Sequence, residues 1–177
     1  MADLVSTKVV TGKVRFSYAN VFEPVSIDGN SDPKYSVSLL IPKKDTETLN
    51  KINAAVEAAK QLGAVSKFGG RVPVGLKLPL RDGDAERPDD EVYAGCYFLS
   101  ANSANKPGLV DESLNAIMSR EDFYSGCYGR ASVNFYAFAV SGNKGVACGL
   151  NNLQKLEDGP RLSGGSSAEE DFGSDMM

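Results

Sequence analysis

The chain has 177 residues and 18.8 kDa, with 42% hydrophobic and 24% charged residues and a mean hydropathy of -0.23; this suits one soluble globular domain with a tail and excludes two catalytic domains, wholesale disorder and a membrane-spanning run. Histidine is absent, which removes the commonest general base, the Ser-His and Cys-His nucleophile pairs and every His-containing zinc site. Lys and Arg number 19 against 23 Asp and Glu, but Glu169, Glu170, Asp171 and Asp175 follow Ser163 with no base among them, so residues 1–162 are neutral and the net charge of -4 belongs to the C-terminal segment.

The opening Met-Ala-Asp-Leu-Val-Ser-Thr-Lys lacks the basic-then-apolar order of a secretory signal, so a cytoplasmic protein is expected. Lys8 to Phe22 alternates, with Val10, Gly12, Val14, Phe16 and Tyr18 expected inward and Lys13, Arg15 and Ser17 outward, as in a long half-buried strand. After a turn-rich stretch from Asp28 to Pro33, the period resumes over Lys34 to Ile41, with Tyr35, Val37, Leu39 and Ile41 inward. Asp45 then offers an N-cap, Leu49, Ile52, Val56 and Ala59 recur at helical spacing, and Gly63 is expected as the C′ glycine of that helix.

Phe68 to Leu80 is punctuated by Gly and Pro and is partly extended; Asp82 to Glu91 is an acidic loop. Tyr93 to Ala101 is a predicted strand, Glu112 to Met118 a short helix at best, and Cys127 to Ala139 the clearest strand of all. In that strand Cys127, Gly129, Ala131, Val133, Phe135 and Ala137 share one face, and Tyr128, Arg130, Ser132, Asn134 and Tyr136 the other. Gly142-Asn143 signals a hairpin, and Gly145 to Leu156 is the final strand. Five strands and one helix predict a mainly β fold: a small curved sheet or barrel with a helix inserted after the second strand. From Ser163 the Gly, Ser and acid content predicts a disordered acidic tail, dividing the chain into a domain over 1–162 and a tail over 163–177.

Few features suggest catalysis. Cys96, Cys127 and Cys148 form no C-x-x-C pair and fit reduced, buried small hydrophobes. The acidic loop places Arg87 where a calcium loop needs glycine and Tyr93 where it needs its last acid, so a solvated loop is expected and no metal. No phosphate-binding glycine loop occurs. The informative pattern is the interleaving of aromatic and basic residues, because a single nucleic-acid strand is held by a positive groove along its phosphates and by rings that stack its bases. Tyr128, Arg130, Asn134 and Tyr136 meet that need on the face opposite the apolar one, and Lys13 and Arg15 suit phosphate contacts. The competing expectation is an ordinary sheet face covered by the helix, with Tyr136 packed beneath it.

Four stretches read together go further: Phe16-Ser-Tyr-Ala-Asn-Val-Phe-Glu-Pro24, Leu76-Lys-Leu-Pro-Leu-Arg-Asp-Gly83, Phe123-Tyr-Ser-Gly-Cys-Tyr-Gly-Arg130 and Gly145-Val-Ala-Cys-Gly-Leu-Asn-Asn-Leu-Gln-Lys155. In these, and over nearly all of residues 5–172, the chain resembles a bacteriophage family of single-stranded DNA-binding proteins. The resemblance implies an OB-fold barrel with an acidic tail, no enzymatic activity and no cofactor, and a role in phage DNA replication and recombination in the host cytoplasm. It carries over no residue-level footprint, so the expected DNA contacts come from the strand faces: Lys13, Arg15, Lys34, Lys77, Tyr128, Arg130, Asn134 and Tyr136. Replication or recombination partners are expected at the tail through Glu169, Glu170, Asp171 and Phe172. Phe172 is followed by Gly-Ser-Asp-Met-Met177, which leaves either Phe172 or the methionines as the apolar anchor; a homo-oligomer also stays open. Two other classes compete: a phage structural or adaptor protein using an OB-like barrel for protein contacts, and a nuclease using the carboxylates from Asp82 to Glu91.

Overall fold

The computed structural model describes residues 7–26, 32–140 and 143–162, so the expected turn at Asp28–Ser31, Gly142 of the hairpin and the whole tail with Glu169, Glu170, Asp171 and Phe172 lie outside the described residues. In chain order the elements are β1 (Lys8–Val10), β2 (Val14–Val25), β3 (Lys34–Pro42), α1 (Thr46–Ser66), β4 (Arg81–Asp82), α2 (Gly83–Glu86), a 3-10 turn (Glu91–Tyr93), β5 (Cys96–Ser103), β6 (Gly108–Val110), β7 (Tyr128–Val140) and β8 (Asn143–Glu157).

The five expected strands are the five long ones. They form a ring in which β2 pairs with β3, β3 with β5, β5 with β8, β8 with β7 and β7 with β2, all antiparallel except β5 and β8. This five-stranded closure with one parallel pair is the Greek-key barrel of the OB-fold, and α1 follows the second long strand as expected. Short β1, β4 and β6 extend the sheet beside β7, β5 and β8.

The inner rows read Phe16, Leu39 and Leu99 across β2, β3 and β5, facing Val133 and Phe135 of β7, all fully buried. Helix α1 adds Leu49, Ile52, Val56 and Ala59 to the same core, each large apolar side chain contributing roughly 1.5–3 kcal/mol by leaving water. Asp45 caps α1 by accepting from Thr48 N at 3.2 Å.

Several expectations change. Gly63 lies inside α1 and not beyond its end. Its role is close approach: a Cβ there would collide with the Ala137 methyl and stand 2.9 Å from the Phe68 ring. Because Ala137 belongs to the inward face of β7, the helix closes the core and leaves the Tyr128 to Tyr136 face uncovered. The first strand breaks at Thr11, whose hydroxyl donates to Gly12 O and accepts from Ala131 N. Ahead of the break the alternation is reversed, so Val9 is buried and Val10 is 40% exposed. Tyr93 sits in the 3-10 turn before β5. The segment from Glu112 to Met118 is a turn in which the Asp111 carboxylate accepts from Ser113 N and Asn115 N at 2.9 Å each.

Gly63→Ala tests the helix contact. Alanine favours an isolated helix over glycine by about 1 kcal/mol, yet overpacking against Ala137 should lower urea-unfolding stability by about 1–3 kcal/mol. The loss should shrink in an Ala137→Gly background; equal losses in both backgrounds would remove the contact as the cause.

Candidate nucleic-acid interface

Strand register fixes which side chains share the outer surface. Arg15, Leu40, Phe98 and Arg81 form one row across β2, β3, β5 and β4, and Tyr128 of β7 continues it beyond Arg15. The next row is Ser17, Ser38 and Ser100, and the one after it Asn20, Ser36 and Asn102.

The apolar end of this surface is covered. Leu40, Phe98 and Tyr93 pack as a second small core beneath the segment from Arg81 to Gly95. That segment is tied down by Lys43, whose Nζ lies 2.8 Å from both Asp82 Oδ1 and Asp84 Oδ2, while Gly95 N donates to Asp84 Oδ1 at 3.0 Å. The hydrogen bond from Lys43 comes first among the causes that hold both carboxyls below the ordinary aspartate range. For a lowered carboxyl pKa the tether is complete above the ordinary range and is lost only as pH falls through the lowered value, so it is intact at neutral pH. Asp82 also caps α2 and Asp90 caps the 3-10 turn. The acidic loop is a folded flap, still solvated, in which Asp82, Asp84, Glu86 and Asp90 serve as caps or ion-pair partners.

The polar end stays open. Ser36, Ser38, Ser100 and Asn102 floor a shallow groove walled by Tyr18 and Arg87. Tyr18 was expected inward with Phe16, but β2 slips register between Ser17 and Asn20 and Tyr18 takes φ 47, leaving its side chain outside at 50% exposure. A left-handed tyrosine costs about 1–2 kcal/mol relative to ordinary backbone. Arg87, the only base between Asp82 and Glu91, lies 5.7 Å from the Tyr18 ring centroid, 4.6 Å from Tyr93 and 5.6 Å from Phe98. The flap thus carries a cation beside an exposed ring. Period-2 reading missed Tyr18 because it assumes an unbroken strand, and the surrounding acids disguised Arg87.

Of the residues singled out from sequence, Lys13, Arg15 and Tyr128 come together. Both cations lie 5.3 Å from the Tyr128 ring centroid; Lys13 pairs with Glu157, and Arg15 donates to the carbonyls of Gly126 and Pro160 at 3.1 and 2.9 Å. Lys34 is exposed at the start of β3, opposite Val25. Arg130 donates to Thr11 O at 3.0 Å and so braces the break after β1. Asn134 is half-buried between Lys8 and Gly149. Tyr136, 43% exposed, lies eight residues from Tyr128 along β7, roughly 26 Å at strand rise. The two tyrosines therefore share a face but stand at opposite ends of it. Lys77 bonds Asn143 Oδ1 at 2.9 Å at the far end of the β7–β8 hairpin. Cys127 and Cys148 are buried and Cys96 partly so, all three free, and burial raises each thiol pKa. Among the described residues, no group of three His, Cys, Asp or Glu side chains could hold a metal ion.

The chain is similar to several phage proteins. It is 31% identical over 176 residues, 93% of this chain and 92% of the relative, to the putative protein p50 of Acyrthosiphon pisum secondary endosymbiont phage 1. Its fold matches the single-stranded DNA-binding protein from bacteriophage Enc34 in complex with ssDNA, with a TM-score of 0.79 at 22% identity over 92% of this chain and 96% of that one. It also matches gp2.5, a single-stranded DNA-binding protein encoded by bacteriophage T7, with a TM-score of 0.61 at 14% identity over 94% and 93% of the two chains. The model of the family described as Enterobacter phage Enc34, ssDNA-binding protein, matches residues 7–177, and the chain belongs to that family.

Proposed function

We propose that this chain binds single-stranded DNA without sequence preference on the outer face of β2, β3 and β5, and shields it during phage DNA replication and recombination. The observation that carries this is the Tyr18 and Arg87 pair: an aromatic ring held outside a strained bulge, beside a cation, over a floor of hydroxyls and amides. Bases stack on such rings whatever their identity, and phosphates follow the cation, which gives affinity without a base code. Membership of a family of ssDNA-binding proteins supports the same ligand.

The path extends past Arg15 to Lys13 and Tyr128 at one end and reaches Lys34 at the other. Arg130, Asn134, Tyr136 and Lys77 lie off it and receive no direct role. Binding and not catalysis is the activity, consistent with Asp82, Asp84, Glu86 and Asp90 serving as caps or ion-pair partners. The described residues contain no helix long and apolar enough to cross a membrane, and we place the protein in the host cytoplasm, where its ligand is. Residues 1–162 act as the binding domain. The acidic tail over 163–177 competes with DNA for the cationic path and, when displaced, recruits replication partners through Glu169, Glu170, Asp171 and Phe172.

Affinity for a fluorescent oligothymidine should fall steeply with salt, by a log-log slope of about 0.7 per neutralised phosphate, and should exceed that for duplex of equal length. A flat salt response would favour an adaptor that uses the barrel for protein contacts.

Tyr18→Ala should weaken binding by about 1–3 kcal/mol. Tyr18→Gly should weaken it equally while leaving the thermal midpoint unchanged or higher, because glycine accepts the positive φ. Arg87→Gln should reduce both affinity and salt slope, and Tyr136→Ala neither. If Tyr136→Ala proved the damaging change, the path would run along β7 instead.

Deleting Ser163–Met177 takes the formal charge from -4 to neutral and should tighten DNA binding, by an amount that shrinks as salt screens the tail over about 8–10 Å. Weaker binding after truncation would show that the segment contributes to the site.

A further inference from the structure

We infer that the cleft between the second half of β2 and the segment 119–125 is a second subsite for the same DNA strand, receiving nucleotides that run past the groove at Tyr18; this rests on the single-strand function proposed above.

The cleft arises from the path of β2. Alongside β7, β2 pairs only at Val14 and Arg15. Beyond them the segment leading into β7 runs beside it, with Phe16 N donating to Cys127 O at 3.0 Å, Gly126 N to Phe16 O at 2.7 Å and Ala19 N to Ser125 Oγ at 2.9 Å. Past Ala19 the two diverge around a cavity of about 190 Å³ walled by Phe22, Tyr124, Arg120 and Arg161. Asn20 joins it to the groove: its amide donates to Ser36 Oγ at 3.3 Å on the groove floor, and the same residue lines the cleft. Tyr18 and Phe22 are four residues apart on β2, so at most about 13 Å apart along the strand.

The chemistry repeats that of the groove. Lys106 Nζ lies 5.7 Å and the Arg120 guanidinium 5.9 Å from the Phe22 ring centroid, and the Arg161 guanidinium lies 4.5 Å from that of Tyr124. The Tyr124 ring is fixed by its hydroxyl, which lies 3.1 Å from Asp158 Oδ1 and 2.9 Å from Gly159 O. Lys106, Arg120 and Arg161 are all exposed, so the barrel core gains nothing from their charge. Arg120 pairs with Glu23 at 2.6 Å, both side chains mostly in solvent; such a pair is weak and yields to a phosphate. Guanidinium planes and aromatic rings both stack on unpaired bases. The acidic tail is the rival occupant, since it follows directly on Leu162, whose N donates to Ser125 O at 3.0 Å beside the cleft.

The test measures fluorescence anisotropy of oligothymidines from about 4 to about 16 nucleotides, the range one OB-fold barrel covers, on the full chain carrying Arg120→Gln with Arg161→Gln and, separately, Phe22→Leu. Both exposed arginines can lose their charge without disturbing the core, and leucine keeps apolar packing while removing the ring. For the longest oligomers the double variant should bind roughly five- to twentyfold more weakly, with a salt slope shallower by up to about 1.4, while the shortest oligomers bind as to wild type. Phe22→Leu should show the same length dependence. Equal losses at every length, or none at any, would overturn the subsite. So would an effect of the double variant that vanishes when Glu169→Gln, Glu170→Gln, Asp171→Asn and Asp175→Asn neutralise the acids of the tail, which would assign the cleft to the tail. A wild-type chain that binds no oligomer would overturn the single-strand function itself, an outcome distinct from losing only the length dependence.

Discussion

Closure of the barrel through a very short contact between β2 and β7 governs the rest of the molecule. A five-stranded ring must bring its first and fourth long strands together, and here they pair only at Val14 and Arg15. Afterwards β2 is hydrogen-bonded to β3 on one side and has only the irregular segment before β7 on the other. A strand with one regular neighbour can bulge, and β2 does so at Tyr18, where the register slips and φ turns positive. The outward ring, the polar floor exposed beside it and the cleft past Ala19 all follow from that departure. Phe16 and Val21 still point inward and remain fully buried, so the bulge is bounded on both sides by core contacts that hold its strain in place.

Electrostatics follow a similar division. Residues 1–162 are neutral overall, which sits awkwardly with the polyanionic ligand proposed, but their charges are not interchangeable. Lys43, Arg81, Lys155 and Lys60 pair with carboxylates, and the flap uses the first two of these to stay folded over Leu40 and Phe98. Arg15, Arg87, Arg130 and Arg161 instead contact rings or backbone carbonyls among the described residues. A carbonyl or a ring face orients a guanidinium without cancelling its charge, so these four remain available to an anion more readily than the ion-paired cations, among which Lys13 and Arg120 are held only by exposed, weak pairs. Net charge is therefore a poor guide to this surface; the partner of each cation is the better one.

That contrast explains what the sequence could convey. The five long strands and α1 were legible because alternation and helical spacing are local, and the two faces of β7 were right from Cys127 to Tyr136 because that strand is uninterrupted. Two expectations failed for non-local reasons. Gly63 looked like a helix terminus since glycine favours that place, whereas it is needed where α1 meets Ala137, a contact between residues far apart in sequence. Tyr18 was assigned to the core because alternation from Phe16 demanded it, and only the loss of β7 as a neighbour reverses its direction. Lys13 and Arg15 on one strand and Tyr128 on another are brought together by the β2–β7 pairing, whereas distance along β7 separates Tyr128 from Tyr136, a consequence of strand length that a shared face does not reveal.

The make-up of this surface fits the proposed tolerance of nucleotide sequence. Base identity is read by donors and acceptors held at fixed positions against base edges. On the groove floor the Ser38 and Ser100 hydroxyls lie 3.2 Å apart and the Asn20 amide donates to Ser36; these groups already satisfy one another, and hydroxyls rotate to suit whatever approaches. The rigid parts are the rings: Tyr18 is set by the bulge and Tyr128 is flanked by Lys13 and Arg15. Rigid planes with adaptable polar groups between them reward stacking and phosphate contact, which every nucleotide offers. Fixed polar groups would reward one base and penalise the rest. Confining rigidity to the rings fits the proposed tolerance of any unpaired strand, and the strain of the bulge is confined to a single residue next to a closed core.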